Sequence, residues 1–205
     1  MARVPAGDAP RTFIVGLGRV GAALLHALRE AGVPCEGDDR PAAAGAPFAA
    51  DVVVLAGPDA AIIEVATALG GAGRLAPPHV VLHCAGAHPA DEVLGGVRGR
   101  VRAVGTLHPL RSFPATAATP LRGVAFGLEG DTAARAAGRA LVERLGGIPV
   151  EVDAAALPLY HAAAVMASNY VVALCDAAAD LLQRAAPGAA PLPALLPLVA
   201  SALGA

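Results

Sequence analysis

A short apolar run that ends in three spaced glycines constrains this chain more than any other feature. Phe13-Ile14-Val15 leads into Gly16-Leu17-Gly18-Arg19-Val20-Gly21, and a helical pattern, Ala22 to Ala31, follows up to Gly32 and Pro34. A strand, a glycine turn and a helix in this order make the setting in which GxGxxG binds a dinucleotide. The first glycine permits the tight turn and the second lets the backbone approach a pyrophosphate. The third brings helix and strand together, and the helix start offers unpaired N–H groups to the anion. A plain strand-to-helix turn is the other reading of the same residues.

The remaining chain repeats the alternation. Strands are expected over Thr12–Gly16, Asp51–Ala56, Val80–Cys84, Val101–Leu107 and Val124–Leu128, with a weakly marked one near Cys35. Helices are expected over Ala60–Leu69, Ala90–Leu94 and Thr132–Leu145. This order implies an α/β fold with a doubly wound parallel Rossmann sheet. Residues before Arg11 read as a leader. Beyond Asp153 the composition changes: Ala154 to Arg184 contains no glycine and only Pro158, which reads as one helix of roughly 45 Å at the α-helical rise. The expected division is therefore a dinucleotide-binding domain over 11–153 and the start of an all-helical domain over 154–205. Four prolines (187, 191, 193 and 197) break the charge-free tail into helical pieces rather than a membrane span.

Composition narrows the partners. The hydrophobic share of 56% is largely alanine, which indicates tightly packed helices. Aromatics at 3% and a net charge of −2 without a basic cluster speak against nucleic acid. Cys35, Cys84 and Cys175 are far apart, so no metal is expected; a reduced, cytoplasmic protein with no membrane partner is the simple expectation.

Several residues near the expected strand ends carry chemistry. Asp39 lies 18 residues beyond Gly21, where an acid would bind a ribose hydroxyl, but Arg40 follows and would suit a 2′-phosphate. The other reading of Asp38-Asp39-Arg40, with Pro41 next, is a solvated turn. Gly57-Pro58-Asp59 and Ala85-Gly86-Ala87 are small-residue loops that leave room for a ligand, or ordinary turns with Asp59 as a helix cap. His108, before Pro109, and His83 are strand-end histidines, suited to proton transfer or to a structural hydrogen bond. On the long helix, Ser168 falls about 20° from His161 and Asn169 about 80° from it, roughly 10–12 Å further along the axis. The three line one pocket face or belong to a solvated stripe with Asp176, Asp180 and Gln183.

Taken together, Ile14 to Gly21, His83-Cys84-Ala85-Gly86-Ala87, Leu107-His108-Pro109-Leu110 with Ser112-Phe113, Phe126 to Gly130, Leu145-Gly146-Gly147 and Tyr160 to Tyr170 form an ordered set. In it the chain resembles the Rossmann-like DUF2520 family of NADP oxidoreductases, similar in plan to pyrroline-5-carboxylate reductase and 6-phosphogluconate dehydrogenase. The resemblance implies NADP as cofactor, with NAD as the alternative, held by residues 16–21, Asp39, Arg40, Gly57, Pro58, Asp59 and Gly86. It implies a site between two domains, with His161 moving a proton, Ser168 and Asn169 orienting substrate and His108 lining the cleft. A homodimer through the helical domain and a small carbonyl or imine substrate, such as the 2-keto acid ketopantoate, follow from it too. This chain has Ala85 where members usually carry serine. Members also continue for more helices, so the helical part reads as truncated. A prephenate-dehydrogenase-like enzyme and a non-catalytic dinucleotide-sensing module are the alternative functions.

Overall fold

The computed structural model describes residues 9–40, 45–114, 119–202 and 204. Most of the expected leader, Pro41 and the last tail residues (203 and 205) lie outside them. The chain divides into two compact units, Met1–Pro158 and Leu159–Ala205.

The first unit is a seven-stranded sheet flanked by helices. Its elements are β1 (Thr12–Val15), α1 (Arg19–Glu30), β2 (Cys35–Asp38), β3 (Val52–Leu55), α2 (Asp59–Gly71), β4 (Val80–His83), α3 (Ala90–Leu94), β5 (Ala103–Pro109), β6 (Ala125–Gly130), α4 (Thr132–Arg144) and β7 (Ile148–Glu151). The strand order is β2-β1-β3-β4-β5-β6-β7. Because β1 is flanked by β2 on one side and β3 on the other, the winding reverses at β1, as in a doubly wound sheet. The Rossmann architecture expected from the alternation is present.

Burial on both faces explains why the central strands are nearly continuous apolar runs. Val52 and Val54 of β3 pack on one side with Leu24 and Leu28 of α1. Val53 and Leu55 point to the other side, with Ile62, Ala66 and Leu69 of α2. The period-two alternation of the strand thus feeds two separate cores.

The sheet departs from the expected one in two ways, and its weakly marked second strand is present. β6 runs antiparallel to β5, with Thr106 opposite Glu129 and His108 opposite Gly127. β2, read as weak and turn-rich, is a real strand at the sheet edge, where its polar residues face solvent. β7 was not expected at all: Pro149 interrupts its apolar run, and an edge strand tolerates the missing N–H. Glu151 on β7 is held by Arg139 of α4 at 2.6 Å, which ties the edge to the helix layer.

The expected single helix over 154–184 is divided. A 3₁₀ turn (154–156) leads into α5 (Leu157–Val165), then a π-helical turn over Met166–Tyr170, then α6 (Val171–Ala185). A π turn accommodates an extra residue, so the faces beyond it rotate by roughly 100° relative to a straight α-helix. The stripe joining His161 and Ser168 to Asp176, Asp180 and Gln183 therefore loses its geometric basis. α7 (Pro191–Ala202) completes the helical unit, with Pro197 inside it. Within Ala154–Ala185 an 18-residue window has a mean hydropathy of 1.5, long and apolar enough to cross a membrane by length and composition alone.

Candidate functional site

β1, β3, β4 and β5 run parallel, so their carboxyl ends share one sheet edge. The glycine loop leaves β1 there. Gly16 has φ +90°, a conformation that side chains rarely adopt, and a Cβ at Gly21 would run into the Gly16 carbonyl oxygen. Both glycines are thus explained by the turn itself. Gly18 is not. Its φ of −65° suits any residue, and nothing lies within 4 Å of where its Cβ would be. It faces open space where the first turn of α1 leaves N–H groups without intrahelical partners.

That open space is a cleft of about 530 Å³. Gly16, Gly18, Asp39, Arg40, Gly57 and Pro58 all line it, so six of the expected residues are brought together. Ala61 and Val65 of α2 form an apolar wall. Sequence reasoning missed that wall, although both residues precede the buried positions of α2 by one and recur at helical spacing. Asp39 Oδ1 accepts the Leu17 N–H at 3.0 Å, and Asp38 accepts the Arg40 N–H at 2.9 Å. One Asp39 oxygen is therefore committed to shaping the glycine loop. The Arg40 side chain is 93% exposed, 3.7 Å from Asp39 at its Nε.

The remaining loop residues have other positions. Val20 packs against the core, and Arg19 reaches from the loop to the Phe113 carbonyl at 3.2 Å. Asp59 is the first residue of α2, one past the N-cap Pro58, where its carboxylate favours the helix start through its charge. Gly86 lies against His108: a Cβ there would stand 2.5–2.6 Å from the imidazole atoms. His108 is inside β5 rather than just past a strand, and is half-buried.

His83, at the end of β4, is fully buried and hydrogen-bonded. Its Nδ1 accepts the Ala85 N–H at 3.2 Å, and its Nε2 lies 3.1 Å from Thr106 Oγ1. Burial, with smaller contributions from His88 and His108, pushes its pKa down to about 4. It is neutral near pH 7. Thr106 also donates to the buried Glu129, which accepts the Ala90 N–H at 2.8 Å. Neither Thr106 nor Glu129 was singled out from the sequence, because only the register across β4, β5 and β6 aligns them. Burial also lifts the Cys84 thiol to about 12, so it offers no thiolate. Among the described residues no group of three His, Cys, Asp or Glu side chains could hold a metal ion.

His161, Ser168 and Asn169 lie in the helical unit. His161 Nδ1 is buried without a hydrogen-bond partner among the described residues. Ser168 Oγ is 2.6 Å from the Ala164 carbonyl and 3.0 Å from Asn169 Oδ1, so its one proton is committed within its own helix. Ser168 and Asn169 both fall in the π turn, a distortion frequent at functional positions.

Comparison with known proteins agrees with this architecture. Residues 124–205 match the family model for a domain of unknown function, DUF2520, a match that starts in the sheet just before β6 and takes in the helical unit. A Bacteroides fragilis protein named provisionally as an NADP oxidoreductase superposes with a TM-score of 0.73 at 20% identity, over 93% of this chain and 77% of its own. A reductive aminase from Aspergillus terreus, in complex with NADPH4, cyclohexanone and allyl amine, gives 0.72 at 18% identity, over 96% and 74%. Pyrroline carboxylate reductase from Plasmodium falciparum, with NADP bound, gives 0.64 at 12%, over 96% and 77%. No curated protein sequence matches the chain. At these identities the structural likeness establishes the fold. The chain is thus a Rossmann-like protein in which residues 124–205 match the DUF2520 family.

Proposed function

We propose that the chain is an NADP-dependent oxidoreductase acting on a small carbonyl or imine. The observation that carries this reading is Gly18. Packing accounts for Gly16 and Gly21, whereas Gly18 lines the cleft and has no neighbour that excludes a side chain. A bare backbone there suits the close approach of a pyrophosphate. The cradle therefore fits a dinucleotide, with the N–H groups at the start of α1 for its phosphates and Arg40 for a 2′-phosphate. Ala61 and Val65 offer an apolar wall for a base. Three structural neighbours named or crystallised as NADP proteins support the same reading.

When bound, the nicotinamide supplies the hydride. The chain's own residues hold the cofactor and handle the proton. In this proposal residues 11–153 bind the dinucleotide and residues 154–205 supply His161, whose orphaned Nδ1 is available to a hydrogen-bonding ligand. Asn169 orients the substrate with Ser168, and His108, at the same sheet edge as the glycine loop, faces the substrate. The substrate class follows from the family resemblance, with a 2-keto acid such as ketopantoate first. A homodimer through the helical unit and a cytoplasmic setting complete it.

Fluorescence titration of NADPH and NADH against wild type and Gly18→Val tests the cradle. The expected result is NADPH binding by wild type and its loss in a Gly18→Val protein with unchanged melting temperature. Binding of neither cofactor by wild type rejects the proposal. Turnover is then sought with 2-keto acids, with ketone–amine mixtures and, in the oxidative direction, with prephenate. Cofactor binding with no turnover, unchanged in His161→Ala, would favour a sensing module instead.

A further inference from the structure

Three adjacent strands of the first unit place three polar side chains in one buried row. His83 of β4 pairs in register with Thr106 of β5, and Thr106 pairs with Glu129 of β6. All three are buried: His83 is 0% exposed, Thr106 2% and Glu129 7%. Buried polar groups are costly unless satisfied, so the row needs a consistent direction of donation.

Only one direction satisfies it. His83 Nδ1 accepts the Ala85 N–H, so the single proton of the neutral ring is on Nε2. Nε2–H then donates to Thr106 Oγ1 at 3.1 Å, and the Thr106 hydroxyl donates to Glu129 Oε2 at 3.2 Å. The same carboxylate oxygen accepts the Ala90 N–H at 2.8 Å, anchoring the end of the row to the start of α3. The other end grips the loop after β4 through Ala85. The next residue, Gly86, forms the floor under the His108 ring. His108 follows Thr106 by two positions on β5 and shares its face of the sheet.

We infer that Glu129, Thr106 and His83 are positioning residues that set the 85–86 loop and thereby the place and orientation of the His108 imidazole. The inference rests on the proposed function only for its purpose: His108 is the ring that lines the proposed site. Its geometry stands on the buried row alone. Glu129 fixes the Thr106 proton, Thr106 Oγ1 holds the His83 Nε2–H, and His83 Nδ1 holds the backbone that leads under His108. Substitution at Thr106 is therefore expected to act, through His83 and the 85–86 loop, on a ring two positions further along β5.

Imidazole ¹⁵N and ¹³C spectra of the full chain test this, with Thr106→Val, Thr106→Ser and Gly86→Ala as variants. In wild type, His83 is expected as the neutral Nε2–H tautomer at pH 7. Thr106→Val is expected to shift the His108 imidazole ¹⁵N and ¹³C signals. Thr106→Ser, which keeps the hydroxyl, is expected to restore them. Gly86→Ala acts directly on the floor and is expected to displace the same signals, so it serves if Thr106→Val does not fold. A wild-type His83 protonated on Nδ1 overturns the inference. So do unchanged His108 signals in folded Thr106→Val, or in Gly86→Ala where that variant has to serve. NADPH titration of the same samples separates the two readings. Absent cofactor binding defeats the proposed function and leaves the His108 result standing, whereas binding with an unmoved His108 defeats only this inference.

Discussion

Arg40 and His83 show how two charged or titratable residues on one sheet edge come to opposite uses. Arg40 extends into solvent beside the cleft, and its partner Asp39 already gives one oxygen to the Leu17 N–H. An acid engaged by the loop is poorly placed to add two hydroxyl contacts, which tilts the pair towards a 2′-phosphate and an arginine fork. Arg40→Ala is expected to weaken NADPH binding about tenfold or more, a loss of about 1.4 kcal/mol, while NADH binding changes little. Equal losses for both cofactors in the fluorescence titration would contradict this assignment. His83 is the reverse case, a ring kept neutral by burial. Its folded pKa of about 4 lies below the ordinary value of 6.5, so the unfolded chain binds more protons between those pH values. The stabilisation is complete above pH 6.5 and is lost as pH falls towards 4, by about 3 kcal/mol at the end of that window. Urea unfolding at pH 7 and pH 4.5 should therefore show a smaller pH penalty in His83→Gln than in wild type.

At the scale of elements, the glycine loop and the runs Val52–Leu55 and Val80–His83 were legible because their signals are local. A buried strand between two helical layers must be apolar at every position, and both of these runs are, apart from His83 at the end. α1 begins three residues earlier than its periodicity suggested, since Arg19, Val20 and Gly21 belong to the glycine motif as well as to the helix. The direction of β6 was not legible. Nothing in Ala125–Gly130 distinguishes a parallel from an antiparallel neighbour, and the choice is made by where the chain returns after β5. The π turn was equally hidden, since Met166-Ala167-Ser168-Asn169-Tyr170 shows no breaker. The antiparallel pair is central to the fold because Phe126 on β6 is completely buried against Leu141, Val142 and the sheet. Phe126→Ala should cost about 3–5 kcal/mol in urea-unfolding free energy. A loss below about 1 kcal/mol would mean that β6 is not part of the core.

The molecule as a whole presents two contrasting surfaces. The sheet unit packs two apolar cores and leaves Ile63 and Ile148 about half exposed, whereas the helical unit leaves Leu159, Leu174 and Leu181 exposed by 76%, 70% and 67%. Large apolar side chains exposed to this extent on helices suit a surface that is covered in use. The proposed homodimer covers it, and sedimentation equilibrium of the full chain should show a dimer that Leu174→Glu with Leu181→Glu converts to monomer, with NADPH binding retained. Monomeric wild type that floats with phosphatidylcholine vesicles would instead assign the surface to lipid, consistent with the length and hydropathy of Ala154–Ala185. The sequence by itself determined the glycine turn, the alternation of strands and helices and the change to a helical composition after Asp153, because each depends on residues adjacent in the chain. Only the tertiary structure decided that Gly18 faces a cleft while Gly16 and Gly21 serve the turn, and that His83, Thr106 and Glu129 form one row under His108. Those relations come from strand order and register, which bring together residues from 22 to 46 positions apart. Their physical basis is hydrogen bonding in a buried setting, which local pattern does not encode.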